Sequence, residues 1–375
     1  MYLVIKFKKK ILAAISLLLI FSILSTVFYN IFINNINTLY AFNDKGDPYI
    51  KWVDFNIPYD LMQKALKLDI DSHNNKDAVK LNWIELMAIL SAKYYGKFSK
   101  YKSADLNKAA EDLKNGRSPE NILGNLKNYS YYYEAFNAVL GGFVGEYEIE
   151  APEKAPEEVS ENGSLVWKKQ YGLKVFSPIA KGFSYSDYDD FGAGRSYGYN
   201  RKHLGHDLMA LTGTPVVAVE SGVVEVLGWN PYGGWRIGIR SFDGIRYYYY
   251  AHLRQNRPFA QGVEAGKIVM AGDVIGYVGH TGYSPNENTN NIKQSHLHLG
   301  LQLIFDDSQK DGPNQIWIDL YDITRLISSR RVQTVRNDET KEYTRAYGFR
   351  EAIPENHFEP VSGLPGDLTN VCAVD

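Results

Sequence analysis

Two histidines one residue apart, in Ser295-His296-Leu297-His298-Leu299-Gly300, form the stretch of this chain best suited to chemistry. Apolar and polar residues alternate onward to Phe305, so the segment reads as a β-strand with His296 and His298 on one face. Such a pair suits a metal site in which one imidazole binds the ion and the other handles protons; it equally suits two surface histidines. Two upstream groups favour the metal: His203-Leu204-Gly205-His206-Asp207 and Tyr250-Ala251-His252-Leu253. His203 and Asp207 offer a nitrogen and a hard oxygen donor, and with His298 they give three protein ligands that leave a tetrahedral ion one open position. A zinc ion held this way lowers the pKa of its water to about 7 and polarises a carbonyl, so an amide is open to attack near neutral pH. Six of the eight histidines fall between His203 and His298, a clustering that His73 and His357 do not share. His206, next to Asp207 on a strand, should point away from it and support the structure.

The elements that must position these residues begin at Trp167. From there the chain runs in short β-type segments punctuated by glycine, at 214–219, 223–227, 235–241, 245–253, 274–278 and 297–305, which predicts a mainly antiparallel sheet over 167–330. A helix at 317–330 closes it, with Asp319 as cap and Ile323, Leu326 and Ile327 on one face. The tail, 331–375, reads as polar and irregular. Residues 51–148 read instead as a small all-α domain. Trp83, Leu86, Leu90 and Tyr94 recur at helical spacing, as do Leu106, Ala109, Ala110 and Leu113. Ser103 is placed to cap the second helix and Ser118-Pro119-Glu120 to open a third. Glu85 and Glu134 read as ordinary helix-surface acids. Between the domains, 149–166 is acidic and rich in proline, with too little apolar content to fold, and is expected to be a flexible linker.

The N-terminus has its own pattern. Lys6, Lys8, Lys9 and Lys10 precede 11–29, which carries no charge. About 20 such residues at about 1.5 Å each cross a hydrocarbon core of about 30 Å. Residues 1–35 are therefore expected to be a basic cytoplasmic stub and a transmembrane signal anchor, placing the protein in the cell membrane as a single-pass chain with the rest outside. A cleaved signal peptide is the competing reading. The whole is multidomain, and 375 residues with 45% hydrophobic and 22% charged content suffice for two ordinary cores. A net charge of -2 argues against a nucleic-acid partner held by bulk electrostatics. Cys372 is the only cysteine, which excludes an intramolecular disulfide and a thiolate metal site.

H-x-x-x-D, then G-T-P-V, Y-A-H-L and H-L-H in that order resemble the M23 family of zinc metallopeptidases, the lysostaphin and LytM-type peptidoglycan endopeptidases. The resemblance covers roughly 176–305. It implies a compact antiparallel sheet with one zinc in an open groove, ligands at His203, Asp207 and His298, and catalytic histidines at His252 and His296. Tyr197 matches the family's upstream tyrosine that steadies an oxyanion, with Tyr199 close enough to leave the choice open. The 13 residues from Tyr283 to Ser295, rich in asparagine, exceed the usual turn before the final H-x-H and should form a longer groove wall. Peptidoglycan is the implied partner, and no residue marks the scissile bond or a substrate-binding position. Membrane-anchored scaffolds of this fold without catalysis are the alternative, and a dual enzyme with a glycan-cleaving helical domain is a third reading.

Overall fold

The computed structural model describes Ser22 and residues 39–124, 128–152, 165–198 and 200–360. The chain divides into two compact units, 1–53 and 54–375. In the first, Tyr40–Phe42 pairs antiparallel with Pro48–Ile50. The membrane anchor expected at 11–29 lies outside the described residues apart from Ser22. Among the described residues no helix is long and apolar enough to cross a membrane, and the single-pass membrane placement is withdrawn on that finding.

The second unit holds both the helices and the sheet. An eight-stranded sheet runs in the order Ile268–Val269, Gly222–Asn230, Gly234–Ser241, Arg246–Ala251, His296–Leu303, His206–Ala210 and Tyr185–Ser186, with Ile316–Trp317 also paired to His296–Leu303. Every pairing is antiparallel. The reason lies in the sequence: Ile237 and Ile239, Tyr248 and Tyr250, and Leu297, Leu299, Leu301 and Leu303 are apolar or aromatic residues at alternate positions of their strands and are buried. Gly300 leaves room for the Trp317 ring, since a Cβ there would lie 2.6 Å from Cζ3.

The helices are Tyr59–Asn74, Trp83–Tyr94, Ser103–Lys114, Pro119–Leu123 and Tyr129–Leu140, followed later by Tyr321–Ile327. Tyr59–Asn74 is missing from the sequence reading because its apolar stripe is interrupted by Asp69 and Ser72, both buried. Asp69 is satisfied by residues beyond its own helix: its carboxylate accepts from the Trp83 amide at 2.9 Å and the Tyr171 hydroxyl at 2.8 Å. Ser118 caps as expected, accepting from Asn121 N, whereas Ser103 opens its helix without capping it.

The described structure differs from the expected division at three places. Val144–Pro152 and Leu165–Leu173 form a nine-residue ladder with Pro152 opposite Leu165, so both ends of the expected linker are strand; 153–164 lie outside the described residues. The ladder forms because Tyr147 turns its ring into a cluster with Phe176, Ala271, Val332 and Phe349. The tail is not irregular throughout: Thr334–Arg336 pairs with Tyr343–Arg345, and Phe349–Arg350 pairs with Val144–Pro152. Finally, the helical region and the sheet belong to one unit rather than two halves. Arg246 explains the join, since Nη1 donates to Ala138 O at 2.9 Å while Nε and Nη2 hold Glu220 at 2.8 and 3.0 Å, all buried.

Candidate active site

Three neighbouring strands bring the chemistry together. His298 lies opposite Asp207 on one side and Ala251 on the other, and His252 follows Ala251 directly. His203 reaches the same point from the turn before His206–Ala210. Three atoms converge there: His203 Nε2, Asp207 Oδ1 and His298 Nδ1 stand 3.0 Å from one another in each pair. All three residues are buried, and together they form a group with metal-holding geometry. Gly205 makes this approach possible, because a Cβ at that position would lie 2.4 Å from His298 Cε1.

Whether a cation fits follows from the lone pairs. His203 Nδ1 faces Asp190, 3.3 Å from its carbonyl and 3.1 Å from Oδ1, so its proton sits on that nitrogen and Nε2 presents a lone pair. Nε2 and the Asp207 carboxylate are then both acceptors at 3.0 Å, an arrangement that a shared cation satisfies. Two imidazole nitrogens and one carboxylate oxygen are the donor types zinc takes, and tetrahedral ligands at about 2.0–2.1 Å stand about 3.3 Å apart, close to the spacing here. The residues fit the ion.

The charges agree with this. Burial would raise the Asp207 carboxyl, yet the His203 and His298 imidazoles packed against it outweigh that and hold it far below the usual range, fully ionised. Burial pulls His203 down, but Asp207 beside it carries it above the ordinary value. Burial pushes His298 down to about 4 and, with the charge of His296 added, takes His252 well below the ordinary histidine range.

His252 and His296 face each other with ring centroids 4.8 Å apart. Each is aimed by its own Nδ1, which donates to a main-chain carbonyl: Thr281 at 2.9 Å for His252 and Gln294 at 2.8 Å for His296. Nε2 is therefore the working atom of both, and that of His296 lies 3.8 Å from Asp207 Oδ1. His252 adopts a left-handed backbone, φ 57°, which turns its ring off the strand line; strain of this kind collects at working sites.

Tyr197 stacks on Tyr283, centroids 4.7 Å apart and planes within 7°, and Tyr283 in turn stands 6.0 Å from His252. Tyr199 lies outside the described residues. His206 points elsewhere, its Nε2 3.0 Å from Asp187 Oδ2. His280 holds the asparagine-rich segment through Ile292 O. That segment is fastened as a wall: Trp235 Nε1 and Asn256 N both donate to Asn288 Oδ1 at 2.8 Å, and Asn290 reaches Gln255. Sequence reasoning missed Asp190 and Arg195, which grip the outer atoms of two of the three convergent residues. Only their place in the hairpin before His203 hints at this.

Antiparallel strands and the turns that flank them thus bring His203, Asp207, His252, His296 and His298 together. A model of the family described as Peptidase family M23 matches residues 201–311 of this chain. The chain is 44% identical over 124 residues to the L-Ala--D-Glu endopeptidase of Bacillus subtilis (strain 168), covering 33% of this chain and 36% of that protein. It is 41% identical over 83 residues to lysostaphin of Staphylococcus simulans, covering 22% and 16%. The crystallised catalytic domain of that lysostaphin is 30% identical and aligns over 38% of this chain and 92% of that one, with a TM-score of 0.29. The chain thus spans about a third or less of the length of the curated relatives it matches.

Proposed function

We propose that this protein is a zinc-dependent endopeptidase that hydrolyses amide bonds in peptidoglycan stem peptides or cross-bridges. The observation that carries the reading is the triangle of His203 Nε2, Asp207 Oδ1 and His298 Nδ1 with two further imidazoles beside it. The relatives named as a L-Ala--D-Glu endopeptidase and as lysostaphin support the substrate class.

His203, Asp207 and His298 would hold the ion, which when bound supplies Lewis acidity and a water that ionises near neutral pH. His252 is kept neutral by burial, and its Nε2 is a proton acceptor for the attacking water. The proton taken by His252 Nε2 would pass to the leaving amine, and His296, its ring centroid 4.8 Å from that of His252, is placed to steady negative charge on the carbonyl oxygen once its Nε2 carries a proton. Tyr197, braced by Tyr283, is the candidate hydroxyl donor to that oxygen. The wall from Tyr283 to Ser295 bounds the groove and is the place where choice of peptide would be made.

The test is to incubate the purified protein, with zinc, with peptidoglycans of differing cross-link chemistry and to identify released fragments by mass spectrometry. New amine termini within stem peptides or bridges are expected. A protein that takes up stoichiometric zinc yet releases nothing from any of these substrates would favour a binding role instead.

A further inference from the structure

The two residues that grip the donor triangle from outside come from one short segment and are joined to each other. Arg195 Nη2 donates to Asp190 Oδ2 at 2.6 Å and to Asp207 Oδ2 at 3.2 Å. Asp190 in turn faces His203 Nδ1 through its carbonyl and its other carboxylate oxygen. The segment is fixed in place by main-chain bonds to His203 itself, Gly192 N to His203 O at 2.7 Å and His203 N to Ala193 O at 2.8 Å, and by the pairing of Gly194–Arg195 with Arg201–Lys202. A single ion pair therefore touches two of the three donors on the side away from the triangle.

We infer that Arg195 and Asp190 are positioning residues that hold Asp207 to one-oxygen ligation and His203 to its Nε2 donor, so that a bound ion keeps an open coordination position for water and substrate. The inference rests on the metal reading of the site. Its physical basis is the behaviour of a carboxylate, which offers a metal either one oxygen or both. With Oδ2 engaged by a guanidinium, only Oδ1 is left to face the ion. With Oδ2 released, the second oxygen is able to swing in and take the position that the reaction needs. Asp190 acts on the other ligand, fixing the proton on His203 Nδ1 and keeping the Nε2 lone pair inward. Both contacts of Arg195 use the same nitrogen, so a lysine ammonium is able to reproduce them, whereas glutamine carries no charge to do so.

Cobalt(II) reports the coordination directly, because four-coordinate cobalt absorbs visible light far more strongly than five-coordinate cobalt. The experiment records the cobalt spectrum and the zinc affinity, by chelator competition, for the wild-type protein and for Arg195→Ala, Arg195→Lys, Arg195→Gln and Asp190→Asn, with circular dichroism as a check of folding. Wild type is expected to give the intense four-coordinate spectrum. Arg195→Ala and Arg195→Gln should lose intensity and bind zinc about 10- to 100-fold more weakly, the usual range for outer-sphere partners of metal ligands. Arg195→Lys should restore the spectrum. Asp190→Asn should weaken zinc without the change of coordination number. If Arg195→Ala fails to fold, the Lys and Gln variants decide, and equal spectra for the two overturn the inference. A wild-type protein that binds neither metal overturns the metal reading itself, whereas a wild type that binds cobalt beside an Arg195→Ala of identical spectrum and affinity overturns this inference alone.

Discussion

Asp207 and His298 are direct partners across two antiparallel strands, with Oδ1 of one 3.0 Å from Nδ1 of the other. Register places them there: directly opposed residues of a pleated pair point to the same face, so a slip of one residue would send one of them to the other side. His296 shares that face two residues away, and this proximity is what makes the two strand histidines separable by experiment.

Removing His298 takes away one of three donors, so His298→Ala should lose stoichiometric zinc while remaining folded. His296→Ala should keep near-stoichiometric zinc and lose about 100-fold or more in activity, as a proton-handling or oxyanion-steadying residue would. His252→Ala should match His296→Ala. Metal analysis by mass spectrometry on the three purified variants is the measurement, and zinc retained by His298→Ala would reverse the assignment.

Gly205 gives a second, steric handle on the same triangle. A methyl group there meets His298 Cε1 at 2.4 Å and Leu299 O at 2.8 Å, neither of which has room to retreat within a paired strand. Gly205→Ala should therefore cost about 1–3 kcal/mol in denaturant unfolding and displace the imidazole enough to weaken zinc. A variant with unchanged stability and unchanged metal affinity would show that the strand yields easily.

Protons and metal compete for the same lone pairs, and the sign of the effect follows from the His203 environment. Burial pulls His203 down, but the Asp207 carboxylate holds it above its ordinary value in the metal-free protein. As pH falls through that raised value, Nε2 takes a proton and metal affinity drops; above it, affinity levels off. His298, pushed down to about 4, stays neutral until far more acid conditions. Zinc affinity measured by chelator competition in buffers from mildly acid to mildly alkaline should therefore rise with pH and flatten. A flat or falling profile would contradict the assignment of His203 as a ligand.

The strands were legible in the sequence because apolar residues alternate along 297–305 and tyrosines fill 247–250, and histidine spacing on such strands pointed to the groove. What was not legible depends on contacts distant in the chain. Asp190 and Arg195 have ordinary surface composition and gain their role only when the hairpin folds over His203. The helix Tyr59–Asn74 hides behind a buried Asp69, a polar residue that periodicity counts against a core. The acidic run at 149–166 reads as a linker by composition, yet its ends find partners because Tyr147 has an apolar cluster to enter and Phe349 returns from the tail to meet it. A local pattern carries no record of that return.

The join between helices and sheet yields the last prediction. Arg246 is buried, clasps Glu220 with Nε and Nη2, reaches Asp243 at 2.7 Å and donates to the end of helix Tyr129–Leu140 through Ala138 O. Tyr248 adds a hydroxyl to the same glutamate at 2.7 Å. Replacing Arg246 alone strands the Glu220 carboxylate in the interior, for which about 3–5 kcal/mol is the usual cost. Arg246→Met should therefore unfold at markedly lower denaturant concentration. The double variant Arg246→Met with Glu220→Leu removes both charges and should recover most of that loss, since it is the unpaired charge and not the missing bond that destabilises. Zinc binding should persist in the folded fraction of each, because the donor triangle lies elsewhere on the sheet. If Arg246→Met unfolds like the wild type, the helical region is held by its apolar contacts alone, and the clasp contributes nothing to the unit.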